Sequence, residues 1–242
     1  MRRRSHLVAV VVLTAAVVGF SDAWPAAAQE AATQTKESQA AMTPAEALRL
    51  LQAGNARFVA DKPLHRDLAA QVKATSSGQY PFAAVLGCID SRVPPELVFD
   101  TGIGDIFSTR TAGNVLDDEI LGGLEFAAKV SGVRLIVVLG HTQCGAVKGA
   151  CDAVELGHLT ETLALLRPAL EASQGVPPPH DSSNADYVAH VTEANVRLTA
   201  RAIIERSPIL ADLVHQGKLQ VVPAMYDVAT GRVDFLGAEG KR

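Results

Sequence analysis

The sequence predicts an α/β fold with a mostly parallel central sheet flanked by helices, and three observations carry that expectation. Two short apolar runs, Phe82-Ala-Ala-Val-Leu-Gly87 and Leu135-Ile-Val-Val-Leu-Gly140, read as strands buried on both faces. Strand patterns then alternate with helical ones along the chain, as parallel sheets require. Both apolar runs lead directly into chemistry-bearing clusters, Cys88-Ile-Asp90-Ser-Arg92 and His141-Thr-Gln-Cys144. Those clusters fall at the carboxyl ends of strands, where open α/β sheets form their ligand sites.

The elements follow in order. Residues 1–28 read as a secretory signal: Arg2, Arg3 and Arg4 are a positive start and Leu7 to Phe20 an apolar run. That run is short for a bilayer span, and Ala26-Ala-Ala28 offers a small-residue cleavage site before Gln29. The expected address is periplasmic or secreted, in a bacterium, with no stable membrane span once the signal is removed. Arg3-Arg4-Ser5-His6-Leu7 partly resembles a twin-arginine motif, with His6 where an apolar residue is usual, so the Sec and Tat routes both stay open. Residues 29–42, rich in Ala, Gln, Thr and Ser, read as a flexible leader. Residues 43–242 are expected to form a single α/β domain.

Thr43-Pro44-Ala45-Glu46 carries an N-cap, a proline at the first helical position and a capping box. Leu48, Leu51 and Phe58 recur at helical spacing, predicting a helix to about Ala60. Asp61 to Gly78 reads mostly as loop. A strand then reaches Cys88, a short helix starts at Pro94-Pro95-Glu96, and a second strand covers Asp105 to Arg110. A helix is expected over Leu116–Val130 and a third strand over Arg134–Gly140. Helices follow Gly145 and Thr160, with Pro168 a potential break. After a Pro/Ser-rich loop from Gly175 to Asn184, a long helix covers Ala185–Arg206. Leu219–Met225 and Val233–Leu236 close the chain as strands. Thr101-Gly-Ile-Gly104 lacks the third glycine of a dinucleotide fingerprint and reads as a turn.

Composition excludes some functions. A net charge of −4 with 5% aromatics and no basic stripe argues against nucleic-acid binding. Three cysteines, Cys88, Cys144 and Cys151, make a poor disulfide framework even in an oxidising compartment. Cys151 lies seven positions after Cys144, roughly 10 Å along a helix, too far for both sulfurs to share one ion. It reads as a buried core cysteine. His65, His158, His180, His190 and His215 are scattered and read as surface residues.

Cys88, His141 and Cys144 remain as a three-ligand zinc set. Three protein ligands plus water is the pattern of a catalytic zinc, whereas structural zinc usually has four. From spacing alone, a structural metal or a core cluster stays open. Two thiolates and a neutral histidine cancel the zinc charge, so such a site acidifies water less than three histidines do. A carboxylate beside that water helps to orient it and take its proton. Asp90, two positions from Cys88, points the same way in an extended segment. Arg92 can keep it ionised through a bidentate pair, with a plain structural ion pair as the alternative.

These motifs together resemble the β-class carbonic anhydrases. The resemblance runs from about Thr43 to Gly237 and includes Arg110-Thr-Ala-Gly-Asn114 and the closing Val-Val-Pro-Ala-Met-Tyr segment. It implies zinc-dependent, reversible hydration of carbon dioxide to bicarbonate, with one Zn2+ per subunit on Cys88, His141 and Cys144. It implies that Asp90 and Arg92 form the catalytic dyad assisting the zinc-bound water. In some members a closed state puts the aspartate on the metal, a role that would fall to Asp90. It further implies a homodimer or homotetramer, with the N-terminal helix packed on the partner subunit. Thr111 departs from the asparagine common in the Arg-x-Ala-Gly-Asn stretch. Two other readings compete: hydrolysis of carbonyl sulfide or carbon disulfide on the same metal set, and non-catalytic binding of zinc or bicarbonate. Intact Asp90 and Arg92 weigh against the last.

Overall fold

The computed structural model describes residues 32–237. The signal and its cleavage point before Gln29 lie outside the described residues. The chain folds as the sequence predicts in class, a five-stranded sheet with helices on both faces.

The first described element corrects an expectation. Within the stretch read as flexible leader, Lys36–Ala41 forms a helix, α1. Thr35 and Ser38 make a reciprocal capping box, and Gln39 is buried, its amide donating to the Pro81 carbonyl at 2.6 Å and the Ser131 carbonyl at 2.7 Å. The leader is thus tied to the body by long-range polar contacts that leave no apolar periodicity to read.

Helix α2, Pro44–Val59, starts on the expected capping box: the Glu46 amide donates to the Thr43 hydroxyl, and the Thr43 amide to the Glu46 carboxylate. Leu51 is fully buried against Val85, Phe99, Leu135 and Val137 of the same chain, with Leu48 and Phe58 packed around them. The chain's own sheet thus receives Leu51 and part of Leu48 and Phe58, while Leu50 and Val59 of the same helix stay exposed. A β-carbon on Gly54 would lie 1.8 Å from the Phe99 carbonyl oxygen, so only glycine permits this crossing. Asn55 adds three bonds, donating to the Val98 and Gly231 carbonyls and accepting from the Val233 amide.

The region read as loop contains a further helix, α3, Leu68–Thr75, capped by Asp67. Strand β1 is Ala83–Gly87, α4 is Pro95–Val98 and β2 is Ile106–Arg110. Residues 101–104 form the expected turn, with the Gly102 amide donating to Asp105. Asp100 ties this region together, paired with Arg57 at 2.5 Å and with Arg66. The helix expected over Leu116–Val130 is shorter and changes pitch. Asp117 caps α5, Asp118–Glu125, and Phe126–Val130 continues as a π-helical turn.

Strand β3, Leu135–His141, is buried at every position. Helices α6 (Gly145–Cys151), α7 (Gly157–Ala164) and α8 (Arg167–Ala172) follow, then the long α9, Ala185–Arg206. A helix absent from the sequence reading, α10, Pro208–His215, is capped by Ser207. Strands β4, Gln220–Tyr226, and β5, Val233–Phe235, complete the sheet.

The strand order is β2-β1-β3-β4-β5, parallel except for the β4–β5 pair. Alternate residues feed two cores: Val85, Leu135, Val137 and Leu139 face α2 and α4, while Ala84, Leu86, Ile136 and Val138 face α5, α9 and α10. The order also reverses at one place. Strand β1 leads to β2 on one side, whereas β3 leads to β4 on the other. Adjacent carboxyl ends whose connections diverge leave a crevice between them. That crevice lies where Cys88 follows β1 and His141 ends β3. Among the described residues no helix is long and apolar enough to cross a membrane.

Candidate metal centre

Parallel register sets Gly87 beside Leu139, so Cys88 and His141 leave the sheet as near neighbours. Gly140 lets α9 approach β3: a β-carbon there would lie 2.3 Å from Val196 Cγ2. After His141, Gln143 adopts a left-handed conformation, φ 57°, which turns Cys144 back as the N-cap of α6. The result is the predicted convergence. Ligand atoms of Cys88, His141 and Cys144 all lie within 4.8 Å of one another, and all three residues are buried.

The donor set fits a dication. The two sulfurs are 4.0 Å apart. Two zinc–sulfur bonds of about 2.3 Å at a tetrahedral angle would set them about 3.8 Å apart. A disulfide is far shorter, near 2 Å. His141 Nδ1 sits 2.9 Å from the Thr142 carbonyl, the geometry of a protonated Nδ1 donating to it. That leaves Nε2 as a lone-pair donor, and Nε2 is buried with no hydrogen-bond partner. Burying such an atom unpaired is costly, and a metal ligand is a usual resolution. The thiol pair points the same way. The hydrogen bond from Cys144, the contact with His141 and the amides of Gly113 and Asp90 pull the Cys88 thiol down to about 4 against burial. The same contact with Cys88, then burial, pushes Cys144 up. Two adjacent buried thiols thus favour a single negative charge, and a cation between them favours two.

Asp90 stands beside the cluster, with Oδ2 3.9 Å from His141 Nε2. Arg92 grips it at both oxygens, and its backbone amide adds a bond to Oδ1 at 3.0 Å. Hydrogen bonding by Arg92 holds the Asp90 carboxyl well below the usual carboxylate range, outweighing its partial burial. Arg92 Nη2 also reaches the Gln143 carbonyl at 3.3 Å, linking the two motifs.

Other participants were not legible as such. Arg110 Nε donates to the Cys88 carbonyl at 2.7 Å, and Nη2 to the Asp90 carbonyl at 2.5 Å. The Gly113 amide points at Cys88 Sγ, 3.3 Å away, and Asn195 on α9 donates to the Gly113 carbonyl at 2.8 Å. Arg110 and Gly113 sit in a stretch that the sequence singles out without assigning roles. Asn195 leaves only the faint signal of an amide on a helix face shared with Val191 and Val196. Thr111 keeps the turn intact, its amide donating to the Gly87 carbonyl.

Cys151 is outside the cluster, as expected, but it is half-buried rather than fully buried, and burial first pushes its thiol up to about 11. His65, His158, His190 and His215 are exposed; His180 is half-buried, its ring 4.8 Å from that of Tyr187.

Residues 83–233 match the family model described as carbonic anhydrase. The chain belongs to the carbonic anhydrase family. Carbonic anhydrase 2 of Mycobacterium tuberculosis is 37% identical over 205 residues, spanning 82% of this chain and 97% of that one. A carbonic anhydrase of Mycolicibacterium smegmatis is 38% identical over 193 residues, 79% of this chain and 93% of that one. Among solved structures, the β-carbonic anhydrase CafA of Aspergillus fumigatus superposes with a TM-score of 0.63 at 27% identity, covering 81% of this chain and 92% of that one. This carbonic anhydrase is therefore of the β class, and the reading as a non-catalytic binding protein falls away.

Proposed function

We propose that this carbonic anhydrase hydrates carbon dioxide with one zinc ion held by Cys88, His141 and Cys144, and with Asp90 and Arg92 as its catalytic dyad. The observation that carries the reading is the unpartnered His141 Nε2 facing two sulfurs 4.0 Å apart. When bound, zinc supplies the Lewis acidity that makes a water molecule nucleophilic near neutral pH. Asp90, kept ionised by Arg92, accepts a hydrogen bond from the attacking water and orients it toward the carbon of carbon dioxide. The products are bicarbonate and one proton. Arg92 has a second task, restraining Asp90 from turning onto the metal in a closed state. Arg110 holds the main chain that carries both Cys88 and Asp90. Stopped-flow hydration assays on metal-analysed protein test the reading. Activity should scale with zinc content, and activity that survives complete zinc removal would overturn it.

Two further proposals concern the whole protein. We propose export with cleavage before Gln29, supported by the arginine-led apolar run, and checked by N-terminal sequencing of periplasmic or secreted protein. We also propose a homodimer or homotetramer. Strand β2 lies at the sheet edge, flanked by exposed apolar side chains: Leu97 on α4, and Phe126, which contacts Phe107. Unpaired edges with apolar flanks favour a second chain. Light scattering of Leu97→Asp and Phe126→Lys checks this, since unchanged mass in both would count against the surface.

A further inference from the structure

The two sulfurs of this site are supported differently. Cys144 is the N-cap residue of α6 but makes no side-chain capping hydrogen bond there, and its sulfur meets that of Cys88 at 4.0 Å. Cys88 takes an amide from Gly113, which follows β2 rather than β1. That donor is only as well placed as the turn that carries it.

The turn is not self-supporting. Gly113 has φ 73° and Asn114 has φ 45°, two successive left-handed residues, the second of them not glycine. Such conformations persist when surrounding contacts over-determine them. Packing contributes from one side: a β-carbon on Gly113 would meet Leu166 at 3.3 Å and Ala146 at 3.4 Å. From the other side comes Asn195, 4% exposed, whose amide donates to the Gly113 carbonyl at 2.8 Å. Gly113 is thereby held at both its amide, on sulfur, and its carbonyl, on Asn195.

The character of Asn195 strengthens this. Asparagine is a poor helix residue and its amide is costly to bury. Its neighbour Thr192, on the same buried face, satisfies its hydroxyl on its own helix, at the Val188 carbonyl, 2.7 Å away. Asn195 instead reaches across to a turn far away in sequence.

We propose that Asn195 is a positioning residue: it holds the Gly113 turn so that the Gly113 amide donates to the Cys88 sulfur, and so sets the strength of that thiolate as a metal ligand. This rests on the reading of Cys88 as a metal ligand. An amide hydrogen bond lowers the energy of the sulfur lone pairs and fixes the direction of the thiolate, and losing an outer partner that orients a ligand costs about 10- to 100-fold in metal affinity.

The test is cobalt substitution of the intact protein. Wild type should show a sulfur-to-cobalt charge-transfer band. In Asn195→Leu and Asn195→Asp, which cannot donate to Gly113, the band should move to longer wavelength and zinc should dissociate about tenfold or more faster. Thr192→Val, equally buried but bonded only within its helix, should leave both readouts at wild-type values. A folded Asn195 variant with unshifted band and dissociation rate overturns the proposal, as does an equal shift in Thr192→Val. A wild-type protein with no thiolate band overturns the ligand reading instead. Wild-type protein loaded with an NMR-active cadmium isotope gives a measurement independent of any variant's folding. The Gly113 amide proton should couple to the metal through the Cys88 sulfur, and absence of that coupling also overturns the proposal.

Discussion

Arg92 meets Asp90 edge to edge, Nε on Oδ1 at 2.9 Å and Nη2 on Oδ2 at 2.7 Å, while the same Oδ2 stands 3.9 Å from the unpartnered nitrogen of His141. The carboxylate thus faces the candidate metal centre on one side and its restraint on the other. Asp90→Asn should retain zinc yet lose about a hundredfold to ten-thousandfold in carbon dioxide hydration, since an amide carries no charge and can turn a donor toward the water in place of the acceptor that orients it. Arg92→Ala should act through the same carboxylate by freeing it to swing onto the metal. The losses should therefore be non-additive in the double variant. Hydration rates and zinc content of the three proteins check this, and near-wild-type activity in zinc-loaded Asp90→Asn would refute the assigned role.

The same pair predicts a pH dependence of stability. Arg92 lowers the folded pKa of Asp90 below its unfolded value, which is about 3.9. A depressed carboxyl pKa contributes stability that is fully present above the unfolded value and is lost as pH falls through the folded one. In metal-free protein, the stability gap between wild type and Arg92→Ala should be constant above about pH 5 and shrink below about pH 4. Urea unfolding across that range measures it. A gap that widens on acidification would contradict the assignment.

Ligand removal should separate the three cysteines. Cys144→Ser and His141→Ala should lose most bound zinc, whereas Cys151→Ser, outside the cluster, should keep a full equivalent. Metal analysis after dialysis decides this. Full retention in either ligand variant would sink the ligand set. Chelation should also lower the thermal midpoint of the wild-type protein, since metal binding to the native site adds to folding free energy.

Arg110 predicts a loss at a distance from the reacting atoms. It makes no ion pair with a carboxylate among the described residues and spends its guanidinium on the Cys88 and Asp90 carbonyls. Arg110→Ala should destabilise the protein by about 1–3 kcal/mol through the carbonyls left without a donor. It should also slow hydration by loosening both Cys88 and Asp90. Arg110→Lys, with a single ammonium in place of a planar fork, should recover only part of each loss. Denaturant midpoints and hydration rates of both variants provide the check.

The sequence by itself determined the class of fold, the strands, and the three converging side chains, Cys88, His141 and Cys144, that could hold a metal. Each was legible because its signal is local. Buried parallel strands are continuous apolar runs, and residues just past a strand's carboxyl end sit at the mouth of the sheet wherever the strand falls in the order. The Asp90–Arg92 pair was equally local, two residues apart on one turn. Only the tertiary structure decided that α1 is helical and anchored through Gln39, and that the chain's own sheet receives Leu51 and part of Leu48 and Phe58. It alone brought Arg110 to two carbonyls and Asn195 to Gly113. The physical reason is shared. A buried polar side chain is specified by whichever unpaired backbone group the fold sets before it, across tens of residues, and no periodicity in the chain encodes that meeting.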